Sequence, residues 1–310
     1  MALPRAVVIV GPTASGKTDI GLTLASRYHG EIISADSRQV YRGMDIGTGK
    51  EKESSVCIGG ESATITRGIP QYCVDCVDPD ASYTLADFQG DAIRSMQKIW
   101  ARGKTPFIVG GTGLYVQALV DHLDIPNVPP NAAFRAEVEC VIHDRGLDQV
   151  YLELLKLDPD AADFVQPENK RRIIRALEVA TVTGKPFSKM QKRKRRFFIA
   201  KQIGADWPRE ELYARIDRRI DAMFTRGFSE EVRALVQRFS PALPALSGIG
   251  YAEVARALSG DITMDAARTI MKKRTHAYAR RQLSWFRRDV RIQWVKKLEE
   301  ADAIVAPFLS

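Results

Sequence analysis

The sequence predicts an α/β fold in which a P-loop-type parallel sheet is flanked by helices and interrupted by a helical insertion. Three observations predict it. The apolar, β-branched run Ala6-Val7-Val8-Ile9-Val10 leads into Gly11-Pro12-Thr13-Ala14-Ser15-Gly16-Lys17-Thr18 and then into a helical stretch, the strand–loop–helix setting of a phosphate-binding loop. Further short strand candidates at residues 31–34, 71–77, 105–109 and 197–203 are separated by helical periods, as in βα units. After the Pro-rich linker Ile125-Pro126-Asn127-Val128-Pro129-Pro130 the chain turns helical and charged. The expected division is a catalytic core of residues 1–124 and 197–310, with residues 125–196 as the insertion.

The glycines of residues 11–18 let successive N–H groups wrap an anion, and the next helix adds its positive end. Lys17 supplies an ammonium, and Thr18 a hydroxyl for a magnesium ion shared with the phosphates. The motif therefore binds a diphosphate or nucleotide; it does not by itself mean ATP hydrolysis. Residues 19–28 form the following helix, with Leu22, Leu24, Ala25 and Tyr28 on its apolar side. The strand at 31–34 ends in Ala35-Asp36-Ser37. Ligands of open α/β sheets bind beyond the carboxyl ends of strands, so Asp36 projects into the crevice of the phosphate loop; Asp36 or Ser37 could alternatively cap a helix. Residues 51–70 are Ser-, Gly- and Thr-rich and read as an exposed loop.

The strand at 71–77 ends at Asp78-Pro79. Ser82 or Thr84 caps a helix to about residue 101, with Leu85, Phe88, Ala92, Met96 and Ile99 at helical spacing. The strand at 105–109 ends in Gly110-Gly111-Thr112-Gly113. Hydrolytic P-loop enzymes hold magnesium with an Asp at such a position, so its absence favours a transferase that uses the loop to hold a leaving group. Helices follow at 114–123, through 131–183 and at 208–239. Within them Arg171, Arg172 and Arg175 share one side. Ser247-Gly248-Ile249-Gly250-Tyr251 is a Gly-rich turn or a plain helix connection. A long basic helix covers 263–288; its Trp285 and Phe286 suit either base stacking or core packing.

The formal net charge is +8, concentrated at residues 185–197 (including Lys192) and 268–291. Such clustering points to a polyanion more than to a solvated face. Cys73 and Cys76 form one C-x-x-C without a second pair, which reads as ordinary thiols rather than zinc ligands. No run nears the roughly 18 apolar residues of a membrane helix. Met1 to Arg5 lead directly into the first strand, so a cytoplasmic location is expected.

Residues 11–18, the stretch Ser34-Ala35-Asp36-Ser37-Arg38-Gln39-Val40-Tyr41-Arg42-Gly43-Met44-Asp45-Ile46-Gly47-Thr48, and Gly110-Gly111-Thr112-Gly113-Leu114-Tyr115 closely resemble tRNA dimethylallyltransferases. So do residues 171–178, 247–251 and Arg281-Gln282-Leu283-Ser284-Trp285-Phe286-Arg287. The matches run in order over nearly the whole chain. Two departures stand out: Gly47-Thr48-Gly49-Lys50-Glu51 replaces the family's Gly-Thr-Ala-Lys-Pro, and residues 51–70 are longer than the resemblance leads one to expect. The resemblance implies transfer of a dimethylallyl group from its diphosphate to N6 of an adenosine beside the anticodon, on a P-loop core whose helical insertion grips the anticodon arm. It implies that residues 13–18 hold the diphosphate with magnesium at Thr18, that Asp36 is the general base, and that Thr112 lies at the reaction channel. It further implies tRNA contacts by Asp36, Ser37, Arg38, Gln39, Thr112, Arg135, Arg171, Arg172, Ile173, Ile174 and Arg175. Ser247, Gly248, Ile249, Gly250, Tyr251, Ala252, Arg280, Arg281, Gln282, Trp285 and Arg287 complete the implied surface. The expected enzyme is a monomer that stays off membranes.

The chemistry accords with that resemblance. An allylic cation-like transition state needs its diphosphate stabilised by fixed donors, and a weakly nucleophilic exocyclic amine benefits from a nearby carboxylate. The rival readings are an adenylate isopentenyltransferase acting on free nucleotide, a small-molecule or nucleotide kinase, and a non-catalytic RNA-binding GTP sensor. The basic segments argue against the first, and the missing Asn-Lys-x-Asp against the last.

Overall fold

The computed structural model describes residues 3–126, 128–190 and 193–310; Met1, Asn127 and Lys192, named above, lie outside the described residues. One sheet carries eight strands: β1 (Arg5–Val10), β2 (Gly30–Ser34), β3 (Ser54–Ile58), β4 (Glu61–Thr66), β5 (Ile69–Tyr72), β6 (Thr105–Gly110), β7 (Ile199–Ala205) and β8 (Ile292–Val295). Their spatial order is β3-β4-β5-β2-β6-β1-β7-β8. From β5 to β8 all pairs are parallel, and β3 and β4 join antiparallel. Strands of a parallel sheet are covered on both faces, which is why residues 6–10 read as an unbroken apolar run and are fully buried.

The first compact unit comprises residues 1–83, 87–120 and 197–310. It holds the sheet with α1 (Lys17–Arg27), α2 (Leu85–Ala101), α3 (Gly113–Val120), α7 (Arg209–Thr225), α8 (Phe228–Arg238), α9 (Tyr251–Leu258), α10 (Met264–Phe286) and α11 (Leu298–Leu309). Val7, Ile9, Phe107 and Ile203 pack with α1 and α11 on one side of the sheet. A separate core joins Val40, Tyr41 and Met44 to α7, α8, α9 and α10. Phe286 is buried in the core, whereas Trp285 is 41% exposed.

The second unit comprises residues 84–86 and 121–196, with α4 (Ala132–Arg145), α5 (Leu147–Leu157), a 3₁₀ turn at Pro159–Asp163 and α6 (Lys170–Thr183). Its core is formed by Val150, Leu154, Ala161, Val165, Ile173, Ala176 and Leu177. Fully buried Glu178 accepts from Asn131 N (2.7 Å), from Arg135 Nε and Nη2 (2.9 and 2.8 Å) and from Arg175 Nη1 (2.6 Å).

Residues 51–70 are not a loop but a ribbon of β3, β4 and the start of β5. Two-residue hairpins with a type I′ turn require positive φ at both central positions. Gly59 and Gly60 (58° and 80°) and Arg67 and Gly68 (51° and 73°) provide it, each pair between registered strand ends. The strand placed at 71–77 ends at Tyr72, because Cys73 and Asp75 adopt φ of 61° and 52°. The strand expected at 197–203 is β7, shifted to Ile199–Ala205, and β8 and α11 follow it.

Glu178 is held down at about 2: burial would raise it, but Arg135, the Asn131 N–H and Arg175 overcome that. Its contribution to stability is therefore full above its ordinary value and is lost as pH falls through the acid range. Glu178→Ala should destabilise the helical unit by about 3 kcal/mol at neutral pH, the scale for removing one partner of a buried ion pair. Denaturant melts at pH 7 and near pH 2 should show that deficit at the higher pH only.

Candidate active site

The phosphate loop connects β1 to α1. Ala14 and Gly16 take left-handed φ (61° and 79°), which turns the loop's backbone inward. Lys17 Nζ donates to Pro12 O (3.2 Å), and Ser15 Oγ is a buried hydroxyl with no partner among the described residues. One residue of α7 holds the loop, and the charge of a second reaches Lys17. Arg215 Nε donates to Ala14 O (2.8 Å) and its guanidinium lies over Trp207, whose indole N–H donates to Ser15 O (2.7 Å). Arg219 Nη2 would stand 1.9 Å from a Cβ on Gly49, so its guanidinium fills the space that glycine leaves open. Burial lowers its pKa, while Asp36 and Glu51 raise it.

Asp36 and Thr112 follow the adjacent strands β2 and β6. The Ala35 N–H donates to Val109 O (2.8 Å) and the Thr112 N–H to Ala35 O (3.1 Å). A Cβ on Gly110 would lie 2.2 Å from Ala35 O, so only glycine lets the two strand ends touch. Thr112 Oγ1 accepts from the Ser37 N–H (3.0 Å) and donates to Ser37 Oγ (3.3 Å). Asp36 Oδ1 accepts from the Arg38 N–H (2.9 Å), an Asx turn. Asp36 is not a helix cap, since the chain continues in turns through residue 50. Its charge reaches Lys17, Arg219, Tyr115 and Tyr278.

The helix α10 lies over this arrangement. Gln282 accepts from the Thr13 N–H (2.9 Å) and donates to Gly111 O (2.9 Å), bridging the phosphate loop to the β6 loop. Trp285 one turn further on abuts Gly113, and Tyr278 one turn earlier has its pKa pushed up to about 12, by burial first and by Asp36 next. Residues at i, i+4 and i+7 share a helix face, so 278, 282 and 285 form the crevice side of α10.

Among the residues read from the sequence, Gly11 to Thr18, Asp36, Ser37, Thr112, Gln282 and Trp285 converge here. Arg38 donates to Pro244 O and Ala245 O (2.7 and 2.9 Å), and Gln39 is engaged by Ser34 Oγ and donates to Thr48 O. Arg280, Arg281 and Arg287 are exposed, and Arg280 donates to Tyr213 Oη (2.6 Å) while Arg287 pairs with Asp206 (3.0 Å). Ser247 is exposed; Gly248 and Gly250 are buried, and Ile249 and Ala252 half-buried. Tyr251 is buried, its hydroxyl donating to Glu231 (2.7 Å). In the helical unit Arg171 and Arg172 are exposed, Arg135 and Arg175 are clamped on Glu178, and Ile173 and Ile174 are buried. The side chains of Ile173, Ile174 and Tyr251 are thus buried, unlike those of the exposed arginines named with them. Trp207, Arg215, Arg219 and Tyr278 were missed; the i, i+4 spacing of Arg215 and Arg219 was the only signal available.

A cluster of three or more Asp, Glu, His or Cys able to hold a metal is absent among the described residues. Thr18 lines a small chamber with Ser34, Gln39, Lys50, Glu51, Lys52, Thr64 and Gln71. Its hydroxyl is the oxygen that follows the phosphate loop, and magnesium keeps waters and takes its other ligands from substrate phosphates.

Two family profiles match the chain: one described as IPP transferase over residues 39–289, one as isopentenyl transferase over residues 4–59. A tRNA dimethylallyltransferase of Thermomicrobium roseum is 41% identical over 289 residues, covering 93% of this chain and 85% of that protein. One of Geobacter sulfurreducens is 40% identical over 305 residues, covering 97% and 94%. The crystal structure of the full-length tRNA isopentenylpyrophosphate transferase of Bacillus halodurans superposes with a TM-score of 0.70 at 36% identity, covering 98% of this chain and 96% of that one. A eukaryotic dimethylallyltransferase captured acting on tRNA gives 0.75 at 27% identity, covering 98% and 77%.

Burial lowers Lys17 to about 8, Asp36 opposing and Arg219 adding to the shift. Its positive charge is present below that pH and lost above it. The ratio of inorganic diphosphate affinities of the wild type and Lys17→Met, measured by calorimetry, should therefore shrink about 10-fold between about pH 7 and pH 9. A constant ratio would mean that the ammonium contributes nothing to anion binding.

Proposed function

The chain belongs to the IPP transferase family, and from that premise we propose how its residues divide the reaction: transfer of a dimethylallyl group from its diphosphate to N6 of the adenosine 3′ to a tRNA anticodon. The observation that carries this division is the placement of Asp36 and Thr112 on touching strand ends, with Lys17 of the phosphate loop, Arg215 on the loop's Ala14 carbonyl, and Arg219 near enough for its charge to act on Lys17 and Asp36. Residues 13–18 hold the donor diphosphate through backbone N–H groups, and Lys17, Arg215 and Arg219 meet the charge that grows on it as the C–O bond breaks. Each well-placed donor of this kind is worth about 3 kcal/mol in the transition state. Three cations beside one carboxylate suit a leaving group more negative than the ester it came from. Thr18 is the protein's oxygen for a magnesium ion, which when bound would neutralise part of the same charge.

Asp36 takes the acceptor role. With one oxygen committed to the Arg38 N–H, the other is available to accept from N6–H and then to take the proton as the new C–N bond forms. Thr112, fixed by Ser37, lines the path between amine and donor carbon. An adenine must leave its stack to reach this depth, at a cost of a few kcal/mol. Contacts to phosphates by exposed Arg171, Arg172, Arg280, Arg281 and Arg287 offset that cost, with Trp285 as a stacking surface at the mouth. The basic charge and the relatives' action on tRNA support a cytoplasmic enzyme that works on tRNA. No described helix is long and apolar enough to cross a membrane.

Labelled dimethylallyl diphosphate, magnesium and unmodified tRNA should give labelled tRNA with the wild type. Asp36→Ala should lose at least about 100-fold in kcat, the scale of a positioned acid–base group, with little change in diphosphate affinity. Arg219→Gln should lower kcat and also raise the donor KM, because its guanidinium meets the diphosphate both before and during C–O cleavage. Label entering AMP but not tRNA would assign the free-nucleotide reaction instead.

A further inference from the structure

The segment from Asp36 to Lys50 carries the proposed base but contains no helix or strand, so something else must fix it. Backbone hydrogen bonds tie residues 39–42 to residues 75–77, Val40, Tyr41 and Met44 are anchored in the core, and the Lys50 ammonium donates to Tyr41 O and Asp45; the turn at residues 45–47 has its own fastener. Glu231, in the first turn of α8, accepts from three consecutive backbone N–H groups: Asp45 (3.0 Å) and Ile46 (2.6 Å) on Oε2 and Gly47 (3.1 Å) on Oε1. Its fourth donor is the Tyr251 hydroxyl (2.7 Å on Oε1). A Cβ on Gly47 would meet the Phe228 ring at 2.3 Å and Tyr251 Oη at 2.5 Å, so the turn is pressed directly on these two side chains.

From this turn two lines reach the reaction site. Thr48 O accepts from the Gln39 amide (3.3 Å), three residues from Asp36. Gly49 leaves the space occupied by the Arg219 guanidinium. At the other end, Tyr251 begins α9 and closes the turn 247–251. Arg38 donates to the carbonyls of Pro244 and Ala245 just before this turn, and the same two carbonyls accept from Ser247 Oγ (2.7 Å) and the Gly248 N–H (3.4 Å). The exposed Ser247 is thereby linked to Asp36 by two routes, one through Arg38 and one through Tyr251, Glu231 and the 45–47 backbone.

We propose that Tyr251 and Glu231 are positioning residues that couple the 247–251 turn, where the tRNA is proposed to bind, to the placement of Asp36 and Arg219. Tyr251 thus serves the reaction without touching the RNA. A carboxylate suits this post because all four of its partners are donors. An amide in its place sets an NH₂ against at least one of them, whichever way it flips. The inference rests on the proposed roles of Asp36 and of the turn.

The test is single-turnover and steady-state kinetics on full-length Tyr251→Phe, Glu231→Gln and Ser247→Ala, with thermal midpoints measured alongside. Tyr251→Phe removes one hydrogen bond from a buried site without changing shape, and keeps the proposal testable if Glu231→Gln folds poorly. The expected result is a fall in kcat of about 10-fold for Tyr251→Phe and about 100-fold for Glu231→Gln, the scale of a small misplacement of reacting groups. The KM for tRNA should stay within about twofold, and the single-turnover rate should fall in parallel. A raised tRNA KM at unchanged kcat would make Tyr251 an RNA contact and overturn the proposal. So would a lowered thermal midpoint with an unchanged rate per folded enzyme, which is the mark of a structural role. Failure of the wild type to modify tRNA would instead sink the underlying functional reading.

Discussion

The site depends on the backbone contact between Ala35 and Gly110. The two strands β2 and β6 pair in parallel register from Gly30↔Thr105 to Ser34↔Val109, and beyond the register the chain must either part or touch. It touches because residue 110 has no Cβ to meet the Ala35 carbonyl. The contact sets Asp36 and Thr112 side by side at the carboxyl end of the sheet, one strand from the phosphate loop of β1. Any larger residue at 110 would separate the proposed base from the path of the donor.

The electrostatics follow from that arrangement. Lys17 and Arg219 are both penalised by burial, and Asp36 relieves both. A site that gathers more positive than negative charge favours an anion, and a diphosphate released from carbon is a stronger anion than the same diphosphate bound to it. Binding and departure of the leaving group therefore draw on one set of cations. The carboxylate that balances them in the free enzyme is the one proposed to take a proton in the reaction. Gln282 holds the phosphate loop and the β6 loop at fixed separation from above, so donor and acceptor halves of the crevice are set by one amide.

Much of this was legible in the sequence. The phosphate loop carries its own geometry in its glycines, and Asp36 could be placed because strand ends line the crevice of any such sheet. The ribbon of residues 51–70 was not legible as strands: its hairpins rest on Gly59-Gly60 and Arg67-Gly68, which composition reads as loop until the paired strands on either side are seen. Ile173, Ile174 and Tyr251 sat within stretches that matched a family's RNA contacts, yet burial of their side chains is decided by packing partners far away in the chain. Arg215 and Arg219 were hidden for the converse reason. They lie on an ordinary charged helix, and only the fold brings that helix against Ala14 and Gly49.

The central claim is that the phosphate loop holds a leaving diphosphate rather than a phosphoryl donor. The most direct measurement is product stoichiometry: nucleoside mass spectrometry of the tRNA together with assay of released diphosphate, with ATP present and absent. The account predicts N6-isopentenyladenosine and diphosphate in equal amounts, with ATP unconsumed and not required. Phosphate transfer from ATP without modified adenosine would contradict it.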